Sequence, residues 1–180
     1  MSLPHALLTA LVEQASSGSD LAGRFDRSIG YFWHATHQQI YRELARMEEV
    51  GWIESLPEET TRGRKRAYRL LPAGRKELKR WVALADEPAP LRDALMVRLR
   101  AEAAVGPAGL AKEVRKRLQQ HQDMLARYQA IEQRDFPGGG DDDRAVALQH
   151  LVLEAGIRYE RYWIDLLLDA LTILDAPVKA

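Results

Sequence analysis

The chain has 180 residues and a formal net charge of zero, with 26 Lys and Arg against 26 Asp and Glu. It has no cysteine, which excludes disulfides, thiolate catalysis and cysteine-based metal sites. The length suits one compact domain or two small ones. Its N-terminal apolar stretch has no basic lead-in, and its C-terminal apolar run, residues 162–176, contains three aspartates. The composition therefore predicts a cytoplasmic protein with neither a signal peptide nor a membrane span.

The first 30 residues predict two helices. Residues 4–15 repeat apolar side chains at helical spacing, and Pro4 is a residue type that favours the first turn of a helix. The stretch "SSGS", residues 16–19, is interpreted as the turn that ends this helix. Asp20 is then the candidate N-cap of a short second helix closed by Gly30.

The next 55 residues predict a third helix, a two-stranded hairpin and a fourth helix. Thr36 is the candidate N-cap of the third helix, and Gly51 follows its last turn. Residues 52–59 and 65–71 alternate like strands, and a break at the Pro-Ala-Gly that follows precedes a return to helix. This order predicts a winged helix-turn-helix DNA-binding domain over residues 1–85.

Beyond a proline-broken linker at residues 86–91, the pattern is purely helical. The last helix is expected over residues 144–174, and it is apolar over more than one face. One neighbouring helix cannot cover that surface, so residues 91–180 predict an α-helical dimerisation domain. Its main apolar stripe repeats at three- and four-residue steps: Leu148, Val152, Ala155, Tyr159, Tyr162, Trp163, Leu166, Ala170 and Leu174. The candidate dimerisation or ligand residues are Tyr159, Tyr162, Trp163, Leu166 and Leu167.

Positive charge is concentrated at the tip of the predicted hairpin. Residues 1–85 carry 13 Lys and Arg against 10 Asp and Glu, and five of these cations lie between residues 62 and 69. Cations gathered at a tight turn repel one another unless a polyanion binds them, and each phosphate contact releases counterions. The residues predicted to contact the DNA backbone here are Arg62, Gly63, Arg64, Lys65 and Arg66, with Gly63 permitting close approach. The alternative is a solvated hairpin paired with nearby glutamates: Glu54, Glu58 and Glu59.

The third helix has the residue types of a DNA-recognition helix. Gln38 and Gln39 lie in its first turn, and glutamine can bind adenine through two hydrogen bonds. Tyr41 and Arg42 suit phosphate contact. The alternative is an ordinary exposed polar face, with the ring of Tyr41 packed on Trp33. The residues predicted to contact DNA on this helix are Thr36, His37, Gln38, Gln39, Tyr41 and Arg42.

Together these segments resemble the PadR family of bacterial transcriptional regulators. The resemblance rests on "ATHQQIYRELARMEEVGWIES", residues 35–55, followed by "TRGRKRAYRLLPAGRKEL", residues 61–78. The matched positions are Thr36, Gln39, Ile40, Tyr41, Leu44, Glu48 and Gly51, then Gly63, Arg64, Arg66, Tyr68, Leu70 and Gly74. The chain departs from the family pattern at Asp20, Met47 and Leu71.

The resemblance implies a homodimer that represses transcription by occupying a palindromic operator in double-stranded DNA. It also implies release by a small aromatic or drug-like effector. The C-terminal half resembles the longer family members more loosely.

Three other functions are weighed against this one. His34 and His37 are three residues apart, but no third ligand is placed beside them, so neither a metal nor a cofactor is predicted. Phosphate-binding glycine loops and nucleophile elbows are absent, so an enzyme is not predicted. The alternative function is a helical adaptor that uses the basic hairpin on an acidic protein partner. The aromatic residues at helical spacing favour a core more than a ligand pocket.

Overall fold

The computed structural model describes residues 3–27, 35–56, 66–87, 90, 92–138 and 143–177. The chain divides into two compact units, Met1–Pro88 and Ala89–Ala180. Each unit has its own hydrophobic core. Both are mainly helical, and the small sheet of the first unit confirms the predicted combination of a winged helix with a helical C-terminal half.

The N-terminal unit contains four helices and a three-stranded antiparallel sheet in the described residues. In chain order the elements are α1 (Leu3–Glu13), β1 (Ser16–Ser17), α2 (Gly18–Arg27), α3 (His37–Glu49), β2 (Ile53–Ser55), β3 (Ala67–Leu70) and α4 (Pro72–Val82). The strand order is β1-β3-β2. Helices α1, α2 and α3 and strands β2 and β3 contribute the buried side chains, among them Leu7, Leu8, Leu21, Ile40, Leu44, Met47 and Ile53.

The strand β1 and the start of α2 differ from the sequence prediction. Ser16 and Ser17 were expected in a turn, but they pair with Tyr68 and Ala67 of β3. The cap of α2 is Ser17 rather than Asp20, because the Ser17 hydroxyl accepts the Asp20 N–H at 3.1 Å. A strand of two residues has no period for a sequence pattern to reveal. The predicted end of α2 at Gly30 lies outside the described residues.

The Pro-Ala-Gly segment is also not the break that the sequence predicted, because α4 begins at Pro72 and includes it. Proline fits the first turn of a helix, where its missing N–H costs nothing. A Cβ on Gly74 would lie 2.3 Å from the carbonyl oxygen of Trp52. The glycine is therefore required for the close approach of α4 to the chain before β2, and not as a helix breaker.

The C-terminal unit is a helical assembly of α5 (Ala94–Val105), α6 (Leu110–Asp135) and α7 (Arg144–Leu174). Asp93 and Asp143 cap α5 and α7 by accepting hydrogen bonds from backbone N–H groups. Side-chain pairs show that α6 and α7 run antiparallel. Arg115 near the start of α6 bonds to Asp175 at the end of α7, and Glu132 near the end of α6 bonds to His150 near the start of α7. The long helix predicted over residues 144–174 is confirmed in type and extent.

The inner face of α7 differs from the expected stripe. The buried residues are Ile157, Glu160, Trp163, Leu167 and Ala170. Four of the nine residues of the predicted stripe face solvent in the single chain: Leu148, Val152, Tyr159 and Tyr162 are each 46–57% exposed. Trp163 and Ala170 of the stripe are buried, and Leu166 and Leu174 pack against the core. A helix that is apolar on two sides satisfies the same spacing rule with either side inward, so periodicity alone does not decide which side is buried.

Candidate nucleic-acid interface

Helix α3 begins with a complete capping box. The hydroxyl of Thr36 accepts the N–H of Gln39 at 3.3 Å, and the Gln39 side-chain oxygen accepts the N–H of Thr36 at 2.8 Å. Two of the N–H groups that a helix start leaves without partners are satisfied in this way. The predicted cap at Thr36 is confirmed, and the first turn of α3 is held in a fixed conformation.

The two sides of α3 differ sharply in polarity. Ile40, Leu44 and Met47 are fully buried in the core of the N-terminal unit. Gln38 and Arg42 are both exposed and lie one turn apart on the opposite side. Helix α3 therefore presents a polar surface of the kind that enters a DNA groove, while its apolar side holds it on the unit.

The structure distinguishes Gln38 from Gln39, for which the sequence predicted the same role in base recognition. The side-chain oxygen of Gln39 is engaged by the backbone N–H of Thr36 at 2.8 Å and by the hydroxyl of Thr36 at 3.2 Å. A two-bond contact with adenine needs both the oxygen and the nitrogen of the glutamine amide. Gln38 lies on the exposed side of α3, so it is the better placed of the two to read a base. The role of Gln39 in base recognition stays a prediction.

Tyr41 contacts the start of α2. A Cβ on Gly18 would lie 2.4 Å from Cε1 of the Tyr41 ring, so the ring rests on the backbone of α2 at that glycine. Tyr41 is 47% exposed. Trp33, the other candidate for this contact, lies outside the described residues, as does His34. Tyr41 therefore lies at the surface between α2 and α3.

The wing consists of β2, β3 and residues 56–66, which link them. Its tip, with Arg62, Gly63, Arg64 and Lys65, lies outside the described residues, and the predictions for these four residues stay predictions. Arg66 is described, and its Nη2 donates to both carboxylate oxygens of Glu48, at 3.0 and 2.9 Å. Arg66 is thus tied to α3 by an ion pair.

The carboxylate of Glu48 is a junction between the recognition helix and the wing. It accepts the backbone N–H of Ser55 at 3.0 Å in addition to the guanidinium of Arg66. Hydrogen bonds from Ser55 and the charge of Arg66 hold the pKa of Glu48 below its usual value, against the opposing effect of burial. The sequence pattern placed Glu48 in a family motif without indicating this contact.

The predicted dimerisation residues in α7 fall into two groups. Trp163 and Leu167 are buried in the core of the C-terminal unit, and Leu166 packs against that core. Tyr159 and Tyr162 are 55% and 57% exposed, and each meets the indole of Trp163 edge-on. Among these five predicted residues, Tyr159 and Tyr162 are thus the ones that expose a large aromatic surface.

Trp163 is the centre of a polar and aromatic cluster. The imidazole of His121 stacks on it with ring centres 5.6 Å apart, and the guanidinium carbon of Arg117 lies 4.3 Å from its ring centre. The buried carboxylate of Glu160 lies 2.5 Å from Nδ1 of His121. These contacts fix α7 against α6 and orient the exposed tyrosines beside them.

Neither a metal nor a membrane is indicated by the described residues. No three of their His, Asp or Glu side chains come together in a way that would hold a metal ion. None of the helices in the described ranges is long and apolar enough to cross a membrane.

Comparison with known proteins identifies the family. Residues 7–80 match the model of the "Transcriptional regulator PadR-like family", and residues 91–175 match the model "Virulence activator alpha C-term". A Mycobacterium tuberculosis protein described as "Probable transcriptional regulator" is 41% identical over 185 residues, which cover 95% of this chain and 98% of that protein. The chain belongs to the PadR-like family of transcriptional regulators.

Other known proteins agree with this chain in sequence or in fold. The negative transcriptional regulator PadR of Bacillus subtilis is 32% identical over 99 residues, which cover 53% of this chain and 54% of that protein. The Vibrio cholerae virulence activator AphA has a TM-score of 0.80 at 29% identity, over 97% of this chain and 98% of its own. The structure of Bacillus subtilis PadR in complex with operator DNA has a TM-score of 0.82 at 23% identity, over 97% and 100%, and so shares the fold.

The PadR-like resemblance inferred from α3 and the wing is therefore confirmed. These relatives are named as regulators of transcription and not as enzymes.

Proposed function

We propose that this PadR-like regulator is a homodimeric repressor that binds a two-fold symmetric operator in double-stranded DNA. The observation that carries the proposal is the arrangement of α3, which is capped by Thr36 and presents Gln38 and Arg42 opposite its buried side. A negative regulator among the relatives, and a structure of Bacillus subtilis PadR with operator DNA, support the same function.

The proposed contacts divide into those that read bases and those that bind phosphates. Gln38 lies in the first turn of α3, the part of a recognition helix that reaches base edges in the major groove. The cation-rich tip of the wing then binds the backbone, which adds affinity without sequence preference. His37 lies in the same first turn and is proposed to lie near the base edges with Gln38. The residues proposed for backbone contact are Tyr41, Arg42, Arg62, Gly63, Arg64, Lys65 and Arg66.

The proposed dimer uses the exposed apolar side of α7. Large apolar side chains on this side are left in water in the single chain: Leu148, Leu151, Val152, Tyr159 and Tyr162. A two-fold contact places the same surface of two chains together and removes both from water. Full burial of a side chain such as leucine contributes about 1.5–3 kcal/mol, so a few of these residues are enough to hold a dimer.

Dimerisation gives the operator its expected symmetry. Two copies of α3 related by a two-fold axis bind half-sites about one helical turn of DNA, ~34–36 Å, or a multiple apart. In this proposal residues 1–85 contact the DNA, and residues 91–180 form the dimer and so set the distance between the two copies of α3. A regulator of chromosomal DNA works where the chromosome lies, which is why we place it in the cytoplasm.

A small aromatic acid is the proposed effector class, since Bacillus subtilis PadR has been solved in complex with p-coumaric acid. Such a ligand releases the operator only if it binds one separation of the two α3 helices better than the other. Tyr159 and Tyr162 are the proposed contacts for it. A panel of phenolic acids tested by thermal shift would identify a binder as a rise in melting temperature.

DNase footprinting of the region upstream of the protein's own gene tests the main proposal. The expected result is a protected region with two-fold symmetry, and an affinity that falls steeply as salt rises. The adaptor alternative predicts neither symmetry nor tight binding. A purified protein that binds no duplex from its own promoter, even at low ionic strength, would overturn the repressor proposal.

A further inference from the structure

We infer that Glu48 is a positioning residue that strengthens DNA binding even though its negative charge repels phosphate. This inference rests on the proposed function, because it concerns how the recognition helix and the wing reach one duplex together. The carboxylate lies near the end of α3, and its partners belong to the wing. Repulsion of phosphate by Glu48 lowers the affinity for DNA, whereas its positioning of the wing raises that affinity. An experiment can separate these two effects.

The contacts of Glu48 join α3 to both sides of the hairpin at the level where its loop begins. Ser55, whose N–H is bound at 3.0 Å, is the last residue of β2. Arg66, bound by both carboxylate oxygens, immediately precedes β3. One carboxylate thus holds Ser55 of β2 and Arg66 next to β3, which lie on either side of the cation-rich segment in the chain.

The same contacts fix the orientation of Arg66. Its Nη2 also donates to the hydroxyl of Ser55 at 3.0 Å, and its guanidinium carbon lies 5.7 Å from the ring centre of the buried Tyr68. Among the described residues, no hydrogen bond uses its Nη1 or Nε, and its side chain is 57% exposed. Glu48 therefore holds one edge of the guanidinium and leaves the other edge toward solvent, where a phosphate would approach.

A carboxylate that acted only through its charge would lower DNA affinity. Repulsion between exposed charges is screened over about 10 Å at 0.1 M salt. Strands β2 and β3 and Arg66, already fixed on α3, lose less conformational freedom when DNA binds, and this preorganisation favours binding. We infer that preorganisation outweighs repulsion at Glu48.

The test compares Glu48→Gln with its neighbour Glu49→Gln by fluorescence anisotropy on an operator duplex across a salt series. Glu49 is exposed on the same helix, and its side chain makes no hydrogen bond among the described residues, so it controls for the change in charge. Glu48→Gln is expected to weaken binding about tenfold and to reduce the salt slope by about one phosphate contact. Glu49→Gln is expected to bind as well as wild type or slightly better. Equal behaviour of the two variants would overturn the inference.

Glu48→Asp separates position from charge, because it keeps the carboxylate but shortens the side chain by one methylene. It is expected to weaken binding as Glu48→Gln does, and wild-type affinity with an unchanged salt slope would contradict the inference. A variant that is merely less stable lowers the fraction of active protein, which stoichiometric titration measures, and leaves the salt slope of the active fraction unchanged.

Hydrogen exchange in the free protein provides a readout that does not use DNA. The N–H of Ser55 is expected to exchange faster in Glu48→Gln than in wild type or Glu49→Gln, and unchanged exchange would overturn the inference. If wild type ignores every duplex, the proposed function fails and this inference with it. If wild type binds and the Glu48 variants bind equally well, only the inference fails.

Discussion

The ring of Tyr41 rests on the backbone of Gly18. A Cβ built on Gly18 would lie only 2.4 Å from Cε1 of the ring and 3.2 Å from Cζ. The ring of a recognition-helix residue thus occupies the space that any other side chain at position 18 would need. The glycine at the start of α2 therefore determines where Tyr41 lies on the proposed DNA-binding surface.

Replacing Gly18 with Ala is expected to weaken DNA binding with little effect on stability. The half-exposed ring of Tyr41 can rotate away from the new methyl group, but it then leaves its position beside α2. Loss of one hydrogen bond or polar contact corresponds to about a three- to tenfold loss of affinity. Binding titrations of Gly18→Ala, Tyr41→Ala and the double variant should show effects that are not additive. Additive losses would mean that the two residues act independently.

Replacing Gly74 with Ala is expected to destabilise the N-terminal unit, in contrast to Gly18. The atom in the way is the carbonyl oxygen of Trp52, 2.3 Å from the added Cβ, and this carbonyl accepts the N–H of Leu71. Overpacking against backbone that cannot rotate away costs about 1–3 kcal/mol. Urea unfolding followed by circular dichroism measures the change. Gly138→Ala is the matched control, since a Cβ there meets nothing within 4 Å.

The two glutamines of α3 are expected to differ in what their removal changes. Gln38→Ala should relax base preference at one or two base pairs, leaving the melting temperature and the salt slope as in wild type. Gln39→Ala removes the hydrogen bond to the N–H of Thr36, a loss of about 0.5–1.5 kcal/mol, so its main effect should be on stability. Selection of bound sequences from a random pool, together with thermal melts, tests both. A loss of base preference confined to Gln39→Ala would contradict this assignment.

Stability at acid pH is expected to depend on Glu77 of α4. Hydrogen bonds from Arg80 and then from His5 lower the pKa of Glu77 from its ordinary 4.5 to about 2. A carboxylate whose pKa is lower in the folded state stabilises the fold fully above its unfolded pKa, and this contribution disappears as pH falls through the folded value. The stability difference between wild type and Glu77→Gln should therefore shrink as pH falls from about 4.5 to 2. Urea unfolding of both proteins at several pH values measures it, and a constant difference down to pH 2 would contradict it.

The exposed side of α7 is expected to control assembly. Tyr159→Glu with Tyr162→Glu places two charges on the apolar side and should convert the dimer to a monomer, without loss of helical circular dichroism. Light scattering measures the mass. Thr172→Glu is the control, because it adds a charge at an exposed position on the same helix, where the Thr172 hydroxyl bonds only to the carbonyl of Leu168 among the described residues. Dimer formation by the double variant would place the interface elsewhere.

The sequence by itself determined the local elements whose signals lie within a few residues. The cap at Thr36, the boundaries of α3 and the extent of α7 are of this kind, because capping and helical period are local interactions. The sequence motif of α3 and the wing was also enough to identify the PadR-like family.

The tertiary structure decided the features that depend on residues far apart in the chain. The two-residue strand β1 exists only because β3 pairs with it, and Gly74 lies inside a helix only because the carbonyl of Trp52 approaches it. Spacing along α7 is satisfied by either apolar side, so contact with α6 selected which side is buried. The contact of Glu48 with Ser55 and Arg66 likewise joins positions up to 18 residues apart, and no local pattern records it.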